Sequence, residues 1–455
     1  MTSTICAIST PAGVGGIAVA RVSGPDALSI VDKIWTGKKL EQCESHTAHL
    51  GTVLDSAGRP LDQAVATIFR APRSFTGENT VEISVHGSQY VQRELLNTLI
   101  GAGATLAQPG EFTRRAYLSG NLGLTEAEAV ADIIASTSRA AHAIAINQMR
   151  GSVSQKLEQL HDQLLELASM LELELDFSEE DVEFASREKL MKIAGEIYSE
   201  VTRLHRSFAS GNAIKNGIPV ALIGPTNAGK SSLLNTIVGD QRAIVSNIHG
   251  TTRDVIEDTC EIGDYLFRFM DTAGLRDTTD EIEAIGISRS HQAMKKARIV
   301  ILLSDITSPT PTTEITGLIS ELSNDQKLIV SINKIDLAQP DQYIANLRNI
   351  LPEGTPIIPI SANTGEGIDL LTQTLTNSVE PESQQLTITN ARHAEAFKNA
   401  ADSINRVING LQSSLSGDLI AMDIRETLSH LASITGNITS EDILQSIFSR
   451  FCIGK

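Results

Sequence analysis

The sequence predicts a multidomain chain of α+β and α/β class: an N-terminal α+β domain, then an all-α helical bundle interrupted by a doubly wound α/β domain. Three observations carry that prediction. Short β-like runs with Gly and Pro punctuation dominate up to residue 118, strands alternate with helices from Ile218 to Val379, and helical periodicity flanks that alternation on both sides. The boundaries are therefore set at 1–118 for the α+β domain, 119–214 for the first helical part, 215–379 for the α/β domain and 380–455 for the second helical part. A chain of 455 residues suits several domains of roughly 100–200 residues each. The two helical parts are read as one bundle, because chain ends that lie close together allow a whole domain to be inserted.

In the first domain the runs "GIAVARVSG", "AVATIF" and "TVEISVHG" read as strands. Within the last, Val81, Ile83 and Val85 alternate with Glu82, Ser84 and His86, so one face is apolar and the other carries a carboxylate and an imidazole. On the residues alone this is a half-exposed strand. Past Gly123 the run "LTEAEAVADIIAS" opens with a Thr-x-x-Glu capping signal at Thr125 and Glu128. Val153, Leu157, Leu160, Leu164, Leu167 and Leu171 then recur every three or four residues, which is the apolar stripe of a bundle helix. The acidic "DFSEEDVEF" that follows lacks the spacing and Gly of a calcium loop and reads as a solvated loop or helix start.

Composition excludes several function classes. A net charge of −18 and a pI near 5.0 oppose a broad basic footprint, so a nucleic-acid partner requires a local basic patch or a second protein. Aromatics at 4% leave no plain base-stacking platform. Cys6, Cys43, Cys260 and Cys452 form no CxxC pair, so neither a zinc site nor a disulfide framework is expected, and a reducing cytoplasm is the simplest home. The first residues lack a basic start followed by an apolar run, so no processing is expected. No stretch approaches the ~20 apolar residues of a membrane span, so no membrane association is expected.

The chemistry is written in the α/β domain. "GPTNAGKSS" supplies Gly224, Gly229, Lys230 and Ser231 in G-x-x-x-x-G-K-[ST] spacing, between the apolar "VALI" and the helical "SLLNTIVG". Backbone amides from Asn227, Ala228, Gly229, Lys230, Ser231 and Ser232 can face phosphates there, Lys230 can reach the β/γ-phosphates, and Ser231 can ligate Mg2+. "DTAG" (Asp271, Thr272, Ala273, Gly274), "NKID" (Asn333, Lys334, Asp336) and "SAN" (Ser361, Ala362, Asn363) follow in the order a GTPase needs. Asp336 can accept two hydrogen bonds from guanine, and the Ala362 amide can donate to its O6. Adenine offers neither pattern, and two bonds of about 1.5–3 kcal/mol discriminate by roughly a hundredfold or more.

Leu275 stands where Ras-type enzymes carry the water-orienting Gln. Asn227 and the segment "SNIHGTTRD" resemble GTPases that hold a potassium ion in place of an arginine finger. That resemblance implies K+ bound by the Asn227 side chain, the Ser246 and Ile248 carbonyls and Thr251, with Thr252 as a further Mg2+ ligand and Asn247, His249 and Gly250 within the nucleotide-contacting segment. On its residue type alone, Asn227 also admits the lesser reading of a loop-stabilising amide. Glu283 is a candidate for orienting the attacking water, against its default as an exposed helical Glu. Arg253 and Arg276 are candidates for steadying the switches.

Taken with "PAGVGGIAVARVSG", "SFTGENTVEISVHG", "PGEFTRRAYLSG", "IGISRS" and the final "FCIGK", these motifs resemble the MnmE (TrmE) family of tRNA-modification GTPases over nearly the whole chain. The resemblance implies a cytoplasmic homodimer that works with an FAD-containing MnmG (GidA) partner to place an aminomethyl or carboxymethylaminomethyl group on C5 of the wobble uridine of certain tRNAs. It implies G domains that dimerise during potassium-dependent hydrolysis, and an N-terminal domain that binds 5-formyl- or methylene-tetrahydrofolate. The folate-contacting positions fall on Arg21, Glu82, Asn121 and Lys455. Asn121 departs from the Lys or Arg usual in the family, so Arg114 or Arg115 is expected to supply the missing cation. Thr226 replaces a frequent Pro, which removes only loop stiffness. The alternative is a regulatory GTPase of ribosome or RNA assembly without modification chemistry, which has no need of Arg21, Glu82 or the terminal "FCIGK".

"CIGK" lacks the aliphatic pair and permitted last residue of a prenylation box. Upstream, Ile443, Ile447 and Phe451 share one helical face and are expected to dock the tail. Cys452 is a candidate catalytic thiol or a positioning residue, and sequence leaves both open.

Overall fold

The structure, a computed structural model, describes residues 3–176, 187–240, 258–270, 291–323, 325–379, 386–413, 415–436, 441–449, 451 and 454. The chain forms two compact units, one of Met1–Ile134, Asn147–Tyr198 and Asn399–Lys455, the other of Ala135–Ile146 and Ser199–Lys398.

The first unit holds a seven-stranded sheet of β1 (Ile5–Ile8), β2 (Gly15–Ser23), β3 (Trp35–Thr36), β4 (Thr47–Leu54), β5 (Pro60–Phe69), β6 (Thr80–Gly87) and β7 (Thr105–Leu106). The strand order is β3-β4-β5-β6-β2-β1-β7, antiparallel except for the parallel pair β1–β7. Ala20 and Val22 of β2 and Val81, Ile83 and Val85 of β6 share a core with Leu95 and Leu99 of the helix Gln89–Ala102. Each of the buried Val, Ile and Leu side chains contributes roughly 1.5–3 kcal/mol. Because side chains alternate, Arg21 and Glu82, directly opposed in the β2–β6 register, point away from that core. Phe112, from the helix Glu111–Leu118, packs with Ile5, Ala7 and Ala107 in a separate cluster.

The helix Leu124–Ala135 starts one residue before Thr125, so Thr125 is not its N-cap. The Ala127 amide donates to the Gly123 carbonyl at 3.0 Å, and the buried Thr125 hydroxyl bonds Ser154 at 2.8 Å and Glu126 at 3.0 Å. A hydroxyl already inside the first turn finds side-chain partners instead of capping. The helix Ser152–Asp176 buries its whole stripe from Val153 to Leu171, and the helix Gly417–Thr435 of the second helical part packs along it. Most of the acidic run lies outside the described residues. In the last helix, Glu441–Phe448, the buried positions are Leu444 and Phe448, which join Phe451, Leu124 and Ala127 in one cluster. Phe451 and, at the edge of that cluster, Ile447 dock as expected, joined by Leu444 and Phe448; the Ile443 side chain lies outside the described residues.

The second unit holds β8 (Ile218–Ile223), β9 (Asp258–Ile262), β10 (Tyr265–Met270), β11 (Ile299–Asp305), β12 (Lys327–Asn333) and β13 (Ile357–Pro359) in the order β13-β12-β11-β8-β10-β9. All pairs are parallel except β9–β10. Every residue of β11 is buried, as expected for a parallel strand covered on both faces. The helices Lys230–Asp240, Thr312–Glu321, Asp341–Arg348 and Ile368–Ser378 complete the α/β layers, and a ligand crevice belongs at the carboxyl ends of β8, β11 and β12.

Candidate functional site

The phosphate loop runs from the end of β8 into the helix that starts at Lys230. Asn227, exposed, and Gly229 hold positive φ of 67° and 94°. At Gly229 a side chain is excluded twice, by that φ and because a Cβ would lie 2.2 Å from Asn333 Nδ2. The Lys230 ammonium donates to the Gly224 and Pro225 carbonyls at 2.7 and 2.9 Å, and burial pushes its pKa below the ordinary lysine value. Ser231 is half-buried in the first helical turn and Ser232 is exposed beside it.

Asn333 braces this loop against the loop after β13. Its Nδ2 donates to the Ala228 carbonyl at 2.7 Å and its Oδ1 accepts from the Ala362 amide at 2.9 Å, both buried. The Ala362 amide, expected to donate to a guanine O6, here donates to Asn333 and ties the loop. The exposed Asn363 follows directly. The Ser361 hydroxyl donates to Asp336 Oδ1 at 2.6 Å and orients that carboxylate, while Thr236 of the phosphate-loop helix donates to the Ala362 carbonyl at 2.8 Å. Lys334, also at a positive φ of 67°, donates from Nζ to Asp305 Oδ2 at 2.5 Å. Asp305 and Thr236 were not singled out from sequence; Asp305 was visible only as the polar end of the apolar run "IVILLSD".

Ser246, Asn247, Ile248, His249, Gly250, Thr251, Thr252, Asp271, Thr272, Ala273, Gly274 and Glu283 lie outside the described residues, as do Arg253 and Arg276. So do Cys452 and Lys455. Among the described residues no group of three or more His, Cys, Asp or Glu is placed to hold a metal ion.

In the N-terminal domain, Arg21 and Glu82 form a bonded pair, with Nε and Nη2 at 2.9 and 2.7 Å from Glu82 Oε1. The guanidinium lies against two rings, 5.5 Å from the Phe75 centroid and 5.6 Å from that of Phe112. Asn121 donates from Nδ2 to the Ser74 and Phe75 carbonyls at 3.1 and 3.4 Å, so it clips the loop that presents Phe75. Arg115 cannot be the substitute cation: it is 3% exposed and bonded to Glu78 at 3.1 Å and Glu111 at 2.9 Å. Near the C-terminus, the Gly454 carbonyl accepts from the Ser9 hydroxyl at 3.1 Å beside the end of β1.

Two family models match: "GTP-binding protein TrmE N-terminus" over residues 4–121 and "MnmE helical domain" over residues 124–452. The tRNA modification GTPase MnmE of Parabacteroides distasonis is 49% identical to this chain, with 100% of each covered. The chain belongs to the MnmE family. Proteins of the same name from Cytophaga hutchinsonii, at 47% identity over 100% of this chain and 98% of that one, and Flavobacterium johnsoniae, at 42% over 99% of both, extend the same match. It is a family of tRNA modification GTPases, which use GTP with Mg2+. No helix among the described residues is long and apolar enough to cross a membrane.

Proposed function

We propose that this GTPase hydrolyses GTP in a potassium-dependent reaction that serves modification of the wobble uridine of certain tRNAs. In this proposal it is a cytoplasmic homodimer working with an FAD-containing MnmG-type partner, and its N-terminal domain binds a tetrahydrofolate as one-carbon donor. The observation that carries it is the match to the P. distasonis tRNA modification GTPase across the full length of both chains, N-terminal domain included. That extent favours modification over the alternative of an assembly GTPase, which has no use for the Arg21–Glu82 pair.

The chain's residues divide the work as follows. Amides from Asn227 to Ser232 cradle the phosphates, and the Lys230 ammonium, already directed at the loop carbonyls, turns to the β/γ oxygens. Asp336, held by Ser361, accepts the guanine N1–H and amine. The half-buried Ser231 fits a Mg2+ ligand joined by Thr252, and the exposed Asn227 amide fits a K+ ligand joined by Ser246, Ile248 and Thr251. Bound there, the cations would supply positive charge at the β/γ-phosphates, with K+ in the part that an arginine finger plays elsewhere. Glu283 orients the attacking water through a second water. In the N-terminal domain Arg21, Glu82 and the Phe75 ring offer a folate a cation, a carboxylate and an apolar wall, and the family resemblance assigns Lys455 and Cys452 to the same site.

Two experiments test this. Hydrolysis is measured in KCl and in NaCl at matched ionic strength: faster turnover in KCl is expected, and equal rates remove the potassium claim. Nucleoside analysis of tRNA from cells lacking the protein tests the larger claim, and unchanged wobble uridines sink it.

A further inference from the structure

We propose that Asp305 is a positioning residue for the guanine site: its carboxylate holds Lys334, the lysine of the "NKID" motif, in the pose from which the lysine stem covers the base. This rests on the GTPase activity of the family and is independent of the tRNA, folate and potassium assignments.

Asp305 is the last residue of β11 and sits in direct register with Asn333, the last residue of β12. The parallel pairing therefore delivers a carboxylate to the crevice beside the motif that reads guanine. Its two oxygens do different things. Oδ1 accepts from the Thr307 amide at 2.8 Å and hydroxyl at 2.7 Å and closes the local turn. Oδ2 accepts from Lys334 Nζ at 2.5 Å. The turn needs only one oxygen, so the second bond is a separate function laid over it. The Asp305 side chain is 9% exposed and that of Lys334 32%, so the pair is partly withdrawn from water and less screened than a surface pair. Burial alone pushes the Asp305 carboxyl up, but the Lys334 and Thr307 hydrogen bonds outweigh it and hold the pKa below the usual aspartate value. Lys334 also occupies the left-handed backbone region, where a non-glycine residue persists only when its surroundings fix it. The ion pair from β11 is one such constraint, and the Leu337 amide bonded to the Lys334 carbonyl at 2.9 Å is another.

Because the two oxygens are separable, so are the predictions. Asp305→Asn keeps an Oδ1 for Thr307 but presents an amide, not an acceptor, to the ammonium. Thr307→Ala loosens the turn and leaves the lysine bond. Fluorescent-GDP titration of the full-length protein is expected to show Asp305→Asn weakened by about tenfold or more, the loss of one hydrogen bond to a charged group. Thr307→Ala should stay within about twofold. Lys334→Ala should lose about as much as Asp305→Asn, and the double variant no more than Lys334→Ala alone, since both remove one interaction. In turnover, Asp305→Asn should raise KM for GTP with kcat unchanged, because the base is held equally in ground and transition states. Wild-type GDP affinity in Asp305→Asn overturns the proposal, as do losses that multiply in the double variant or a fall in kcat at constant KM. If Asp305→Asn does not fold, Lys334→Ala still decides, because its half-exposed side chain can be removed without opening the core: wild-type affinity there also overturns the proposal.

Discussion

Replacing Asn333 by Ala tests whether the phosphate loop and the guanine loop are one preformed unit. The side chain, in a residue 2% exposed, makes two buried bonds, to the Ala228 carbonyl at 2.7 Å and from the Ala362 amide at 2.9 Å. Truncation leaves one buried acceptor and one buried donor without partners, at about 1–3 kcal/mol each. Both groups lie in loops at a ligand crevice, where water can reach part of what is exposed, so the lower end, about 2–3 kcal/mol in total, is the better figure. That free energy opposes the arrangement able to bind nucleotide, so apparent GDP affinity falls with the population of that arrangement, by roughly 30- to 150-fold. Asn333→Asp keeps an acceptor for Ala362 but sets a buried charged oxygen against the Ala228 carbonyl, and should bind no better than Asn333→Ala. Fluorescent-GDP titration at one salt concentration reads all three. An Asn333→Ala protein that binds GDP within about threefold of wild type refutes the bracing argument.

Gly454→Ala should release the C-terminal tail, because φ is 94° and a Cβ would lie 2.3 Å from the Ile8 carbonyl oxygen. Cys6, Cys43 and Cys260 are buried, and burial raises the Cys6 pKa to about 11, so at pH 8 the Cys6 thiolate is scarce; labelling of each cysteine is read by peptide mapping. Faster labelling of Cys452 in Gly454→Ala is expected, and an unchanged rate counts against the docked tail. Arg115→Leu leaves Glu78 and Glu111 without their shared partner and should destabilise the N-terminal domain by about 3–5 kcal/mol in urea titration, against no shift if the network contributes nothing. Asn121→Ala should free the loop that carries Phe75 and weaken 5-formyl-tetrahydrofolate binding by about fivefold in calorimetry, the effect of one neutral hydrogen bond; unaltered affinity would make the clip irrelevant.

What was legible in the sequence was whatever a short window encodes. The loop from Gly224 to Ser231 announces itself because its glycines, lysine and serine are contiguous, and β11 because a fully buried parallel strand is an unbroken apolar run. The alternation in β6 correctly separated Val81, Ile83 and Val85 from Glu82. Partnerships between distant segments were not legible. The bond from Asn333 to Ala228 spans 105 positions, and that from Lys334 to Asp305 spans 29, so nothing local marks either. The bond from the Ala362 amide to Asn333 spans 29 positions and was equally hidden. Thr125 misled for a related reason: a capping pattern is a local signal, but the helix start was set by the Gly123 carbonyl, and the hydroxyl was drawn to Ser154 on another helix.

The N-terminal site shows the same logic in a form that bears on function. A basic residue and an acidic residue 61 positions apart would each be expected to face water, and the half-exposed strand was the natural assignment for Glu82. Register makes them neighbours, and the loop between β5 and β6 then adds the Phe75 ring on one guanidinium face while Phe112 stands near another. That loop is fixed from below by Glu78, which accepts from Arg115 at 3.1 Å and from Ser23 at 2.8 Å, and from the side by Asn121. A cation that needed only solubility would require none of this support. An arginine whose partner, two rings and supporting loop are each independently anchored is preorganised, so a ligand binding there, as proposed, would meet little further ordering cost. The Asn at 121 then has a structural reason: its short amide reaches the two loop carbonyls and holds the segment that presents the Phe75 ring to the guanidinium.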